Sequence, residues 1–130
     1  MRVILLDTNL LLAVFQRKLD VLRELERLFE GDTYQLLVLE ECLGELKKIS
    51  AGVGEDARAA KSAQTYVNKL LESGSVQKVK GEKGDVDESI IDYAVRNGTT
   101  VATRDFKLRQ VLRAKGVRVV TVHNDRLVLV

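Results

Sequence analysis

MRVILLDTNLLLAVF, residues 1–15, sets a carboxylate, Asp7, between two apolar stretches that the chain has every reason to bury. Val3–Leu6 is an unbroken apolar run, the pattern of a strand covered on both faces as in a parallel sheet. Leu10–Phe15 resumes the apolar character after Thr8 and Asn9, which can cap a helix. Asp7 therefore falls just past a strand's carboxyl end, where open α/β sheets form their ligand crevices.

Working outward, similar apolar runs recur at Leu36–Leu39, at Val101-Ala102 between threonines, and at Val117–Val122. Ser75–Val79 alternates more and predicts an edge strand. Between these runs the spacing turns helical: Leu19, Leu22, Leu25, Leu28 and Phe29 form one stripe, and Leu39, Cys42, Leu43, Leu46 and Ile49 another. Ala60, Ala63, Val67, Leu70 and Leu71 line a long helix stopped by Gly74. Ile90, Ile91, Ala94 and Val95 face inward in a helix ended by Asn97-Gly98, as do Leu108, Val111 and Leu112 before Gly116. Val119–Val130 reads as a last strand with a hairpin at Asn124-Asp125. The βαβα alternation predicts an α/β fold, a mostly parallel sheet of about five strands with helices on both faces. Gly52–Gly54 and Lys80–Gly84 are read as flexible connections inside one domain, residues 1–130.

Composition narrows the function. Of 130 residues, 45% are apolar and 31% charged, the balance of a globular chain rather than a disordered one. Net charge is +2, from 21 basic and 19 acidic residues, so bulk charge does not advertise a nucleic-acid partner. The single cysteine, Cys42, rules out an intramolecular disulfide, and with one histidine there is no Cys/His set for zinc. No apolar run is long enough to span a bilayer and Asp7 interrupts any signal-like stretch, so a cytoplasmic protein without a membrane partner is expected.

Four acidic positions stand out. Asp7 follows the first strand, and Asp105, in TVATRD, follows a later one. Asp87, in KGDVDESIIDYA, opens a helix with Asp85 and Glu88 beside it. Glu45, in LEECLGELKKI, borders the apolar stripe of its helix, while Glu41 is one turn earlier and farther from that stripe. Each has an ordinary structural explanation, since aspartates cap helices and Glu45 alone reads as a solvated helix residue. Converging together, however, ionised carboxylates repel one another unless a cation intervenes. Hard divalent ions such as Mg²⁺ or Mn²⁺ take oxygen ligands of this kind.

LLDTN after a first strand, GEL in a helix, DESIIDYA opening a helix and VATRD after a strand resemble the PIN domain, in order and spacing over essentially the whole chain. The resemblance implies a three-layer α/β/α sandwich and a metal-dependent nuclease, commonly acting on RNA. By position the catalytic and metal-holding set becomes Asp7, Glu45, Asp87 and Asp105, with Glu88 or Asp85 able to share the role of Asp87. Thr8, Asn9 and Thr103 match the polar residues that accompany these acids. The chain is similar to small prokaryotic members, which include the VapC toxins, implying an antitoxin partner. VATRDFKLRQVLRAKGVRVVTV also resembles the ribosomal-RNA-processing branch, implying pre-ribosomal particles. Homodimers are a family expectation, with the helix surfaces around Phe15 and Val67 as candidates.

On this reading, Mg²⁺ or Mn²⁺ ions, two of them about 4 Å apart or one with a second recruited by substrate, activate water against the phosphodiester. Arg104, Lys107, Lys47 and Lys48, with Lys80 and Lys83, are the candidate phosphate contacts, Arg104 the best placed, although each lysine alone reads as a solubilising residue. His123 is read as a turn or interface residue, Cys42 as a small core residue, and Tyr34, Tyr66 and Tyr93 as scattered. A rival from another class is a PIN-like domain that binds RNA or protein without cutting, whose mark would be missing acids; none of the four is missing. An aspartate-phosphorylated phosphatase normally has a second aspartate two residues after the first, where Asn9 stands here.

Overall fold

The computed structural model of the chain describes residues 1–82 and 84–130; Lys83, one of the candidate phosphate contacts, lies outside the described residues. The described chain runs β1 (Arg2–Leu6), α1 (Thr8–Gln16), α2 (Val21–Leu28), β2 (Tyr34–Leu39), α3 (Glu40–Ser50), α4 (Glu55–Ser73) and β3 (Val76–Val79). It continues through α5 (Val86–Asn97), β4 (Thr100–Ala102), α6 (Phe106–Ala114), β5 (Val119–His123) and β6 (Arg126–Leu129). This is the expected α/β architecture.

The strands form a single six-stranded sheet in the order β3-β2-β1-β4-β5-β6. All neighbours are parallel except β5 and β6, which pair antiparallel with Val122 opposite Leu127. The strand beyond the expected five is the second arm of the hairpin. Its turn is built on Asn124 and Asp125, whose φ values of 50° and 60° are the left-handed conformation that a two-residue hairpin requires and that these side chains tolerate. Chain order reverses between β1 and β4: the first half of the chain builds β1, β2 and β3 outward from that seam, the second half β4, β5 and β6. Such a reversal opens a crevice at the strands' carboxyl ends.

Core side chains come from the continuous apolar runs. Ile4, Leu5 and Leu6 of β1 and Leu36–Leu39 of β2 are all buried, as expected for strands with helices on both sides. From the helices, Leu10, Leu25, Cys42, Leu46, Ala60, Ala63, Val67, Ile90, Ala94 and Leu112 close over them. Gly74 (φ 80°) and Gly98 (φ 65°) end α4 and α5 in the left-handed conformation, as the sequence spacing predicts.

Several expectations are corrected. Val95 and Val111, predicted to face inward, are 49% and 41% exposed, because each lies on the outer edge of its helix where no further layer packs. Val67 belongs to the core rather than to an exposed surface; beside it, Phe15 meets Tyr66 edge to face at 5.7 Å. The cap of α1 is Asp7 itself, not Thr8 or Asn9. In the stretch before α5, expected to be a flexible connection, Gly81 is bonded to Glu41 and Glu82 pairs with Arg96.

Candidate active site

The end of β1 is tied to the end of β4 at the seam, where the Asp7 backbone N–H donates to the carbonyl of Ala102 at 2.9 Å; on the other side of β4, Thr103 N–H donates to Val120 of β5 at 2.9 Å. Asp7 and Thr103 are thereby brought together although distant in sequence. Asp7 is only 4% exposed. Its Oδ1 accepts the Thr8 N–H at 2.7 Å, and its Oδ2 accepts the Thr103 hydroxyl at 2.7 Å.

Thr103, fully buried, works as a relay. Its oxygen accepts the Asp105 N–H at 3.1 Å while its one proton goes to Asp7. The 3.3 Å approach of the same hydroxyl to Asn9 Oδ1 cannot use that proton too, and the shorter bond to a carboxylate is the stronger. Asn9 Oδ1 instead accepts the Arg104 N–H at 2.9 Å. Thr8 Oγ1 reaches the Cys42 carbonyl at 3.5 Å, a long contact from α1 toward α3. The three polar residues expected to accompany the acids thus connect the loop after β1 with the loop after β4 and with α3.

The acids feel one another. Burial pushes the Asp7 carboxyl up to about 6; hydrogen bonds from Thr103 and Thr8 oppose the rise, and the negative charges of Asp87 and Glu45 add to it. Asp87 is also raised, first by partial burial and then by Asp105, Asp85 and Glu45. Among the described residues, none of Asp7, Glu45, Asp87 and Asp105 pairs with a lysine, arginine or histidine, whereas Glu24, Asp32, Glu40, Glu82, Asp92 and Asp125 all do. Like charges brought within reach of one another and left without counterions are what a cation would relieve.

The approach stops short of a ready-made cage. Among the described residues, no group of three or more His, Cys, Asp or Glu side chains is gathered closely enough to hold one ion. The donor chemistry of the four acids fits a hard divalent cation, all oxygens and no sulfur or imidazole. Asp105 Oδ1 is committed to capping α6 through the Leu108 N–H at 3.1 Å. In α5 the cap is Asp85, which accepts the Glu88 N–H at 3.2 Å, so Asp87 is not the capping residue and its mostly exposed carboxylate is free of backbone duty. Glu88 is exposed on the same first turn.

Arg104 is half-buried beside a cleft of about 500 Å³ shared with Gln16, Arg17, Glu55, Asp56 and Asp125. Lys47, Lys48 and Lys107 are exposed and, with Arg104, carry no ion pair among the described residues. His123 ends β5, exposed, beside the Asn124-Asp125 turn. Cys42 is buried, which pushes its thiol up to about 12 and excludes a thiolate nucleophile near neutral pH. Another cleft of about 500 Å³, among Arg2, Asn97, Lys115 and Arg118, lies at the strands' amino ends, the opposite end of the sheet from the acids. Glu41, one turn before Glu45 and farther from the apolar stripe, reaches from α3 to the backbone of Gly81, a contact no helical spacing reveals.

The model of the PIN like domain matches residues 4–125. Ribonuclease VapC9 of Archaeoglobus fulgidus is 29% identical over 130 residues, covering 99% of this chain and 89% of that protein. Among solved structures, the PIN domain endonuclease Utp24 superposes with a TM-score of 0.78 at 20% identity, over 98% of this chain and 90% of that one. A domain of a functionally unknown protein from Methanocaldococcus jannaschii superposes at 0.68 and 12% identity, over 95% and 92%. At those identities the two structures speak for the fold.

Proposed function

The chain belongs to the PIN like domain family, and on that premise we propose that it is a divalent-metal-dependent endoribonuclease, a single domain that hydrolyses RNA phosphodiester bonds. The observation that supports the proposal is that Asp7, buried at the end of β1 and bonded to Thr103 after β4, feels the charges of Asp87 and Glu45, that Asp87 feels Asp105 and Glu45, and that none of the four has an ion-pair partner among the described residues. A relative of similar length is a ribonuclease, and a structural neighbour is an endonuclease.

These four carboxylates, with Glu88 or Asp85 alongside Asp87, are the side chains that would hold Mg²⁺ or Mn²⁺. When bound, such an ion supplies Lewis-acid polarisation of the phosphate and lowers the pKa of a water. The remaining work belongs to the chain. Thr103 and the Thr8 N–H fix Asp7 in one orientation, Asn9 holds the loop at Arg104, and Asp105 is set by its own cap. Arg104, Lys107, Lys47 and Lys48 offset the acids' repulsion of the RNA backbone. A cytoplasmic setting fits the described residues, none of whose helices is long and apolar enough to cross a membrane. The proposed partner is the one that the resemblance implies, an antitoxin protein or a pre-ribosomal particle.

Asp7→Asn is the direct test. Cleavage of RNA in Mg²⁺ or Mn²⁺ should fall by about a thousandfold or more with the circular dichroism unchanged, the size of loss seen when metal-dependent transition-state stabilisation is removed. Near wild-type cleavage by that variant refutes the assignment, and phosphatase activity without nuclease activity would favour the aspartate-phosphorylated alternative.

A further inference from the structure

Glu41 is the most unusual carboxylate of the described chain. Oε1 accepts the Gly81 N–H at 3.1 Å, while Oε2 is fully buried with no hydrogen-bond partner among the described residues. An unsatisfied buried carboxylate oxygen is costly, and proteins retain one where something else is gained. Gly81 shows what is gained. A Cβ there would collide with Glu41 Oε2 and come within 2.8 Å of Ser89 Cβ and 2.9 Å of Ser89 Oγ. The Glu41 carboxylate could swing aside, but Ser89, buried in α5, could not. The segment before α5 is thus pressed onto that helix as closely as a backbone can lie, and Glu41 clamps it there from α3.

We infer that Glu41 is a positioning residue for the acid site: through Gly81 it fixes the start of α5, and with it Asp87, relative to Glu45. Glu41 and Glu45 are one turn apart on α3, on the same side of the helix. One grips the backbone leading into α5; the other contributes charge to the cluster that includes Asp87. Asp85, which caps α5, lies four residues beyond Gly81, and Asp87 two further on, so the clamp acts close to the group it places. The Glu82–Arg96 ion pair at 3.5 Å is a second, more exposed hold on the same segment. Glu45 already acts on Asp87 through its charge, and slack at Gly81 would let that relation between α3 and α5 drift.

The inference rests on the nuclease reading, and its test separates the two. Mn²⁺ affinity is measured by calorimetry, and melting of the metal-free protein is followed in parallel. Glu41→Ala and Gly81→Ala should each weaken Mn²⁺ binding about tenfold, as losses of supporting partners around metal ligands do. Glu41→Gln, which keeps an acceptor for the Gly81 N–H, should stay within about twofold of wild type by the same reasoning. Placed on Asp87→Ala, Glu41→Ala should weaken binding no further, since the residue it positions is gone. Glu41→Ala that lowers the melting temperature yet leaves Mn²⁺ affinity at the wild-type value overturns the inference and leaves the nuclease reading standing. A wild-type protein that binds no Mn²⁺ overturns both.

Discussion

Asp7 holds several roles in one side chain. It caps α1, receives the Thr103 proton, and sits 4% exposed among other acids. Its carboxyl has an ordinary value of 3.8 and rises to about 6 in the fold, chiefly through burial. Below the lower value both folded and unfolded chains hold the proton, and above the higher value neither does. Between them the folded chain holds more, so stability falls as pH rises through this window and stays lower above it. In metal-free buffer Asp7→Asn should therefore melt higher than wild type at pH 7.5, by the equivalent of about 1–3 kcal/mol, and converge with it near pH 4. A variant melting below wild type at pH 7.5 would contradict the assignment of that rise to Asp7. The position of Asp7 was legible in the sequence, because a charge directly after a buried strand is conspicuous. The capping role of Asp85 rather than Asp87 was not: two acids two residues apart at a helix start are equivalent until the backbone shows which one turns back to it.

At the scale of elements, β6 shows how a sheet edge is finished. Leu127 is buried, yet its backbone faces the open side of the strand, where its N–H donates to Glu24 Oε1 at 3.0 Å and its carbonyl accepts from Arg27 Nη2 at 2.7 Å. Both partners are side chains of α2, so a helix face stands in for a missing strand. Burial by itself would raise the Glu24 carboxyl, but hydrogen bonds from Arg27 and the Leu127 N–H, with the charges of Arg27 and Arg126, hold it below its usual range. Glu24→Ala should accelerate hydrogen exchange at the Leu127 amide and lower stability by about 1–2 kcal/mol; unchanged exchange at that amide would show the strap to be dispensable. The strands themselves were readable as apolar runs and the helix ends as glycines. The side-chain strap and the Glu41 clamp were not, since each joins elements through a backbone group that leaves no mark on periodicity. Val95 and Val111 misled for a related reason: a helix's apolar spacing does not say how far the neighbouring layer extends over it.

For the whole molecule, six basic side chains form ion pairs among the described residues and the others do not. The arginines at 2, 17, 27, 96 and 126 are paired with carboxylates, whereas Arg104, Lys47, Lys48 and Lys107, from the elements that carry Glu45 and Asp105, are unpaired among the described residues. Net charge of +2 conceals this arrangement. Affinity for single-stranded RNA should fall with salt with a logarithmic slope of about −2 to −3 if these four meet phosphates, and replacing Lys47, Lys48 and Lys107 with alanine should flatten the slope by about 2. A slope near zero in the wild type would reduce these lysines to solubilising residues. The seam between β1 and β4 has a consequence in time. A ribosome delivers Asp7 and Glu45 long before Asp87 and Asp105, and β4 must dock beside β1 before Thr103 can reach Asp7. A half-made chain therefore carries only the first two of the four acids, and on the proposed function it spares RNA until β4 and the segment after it have emerged and docked.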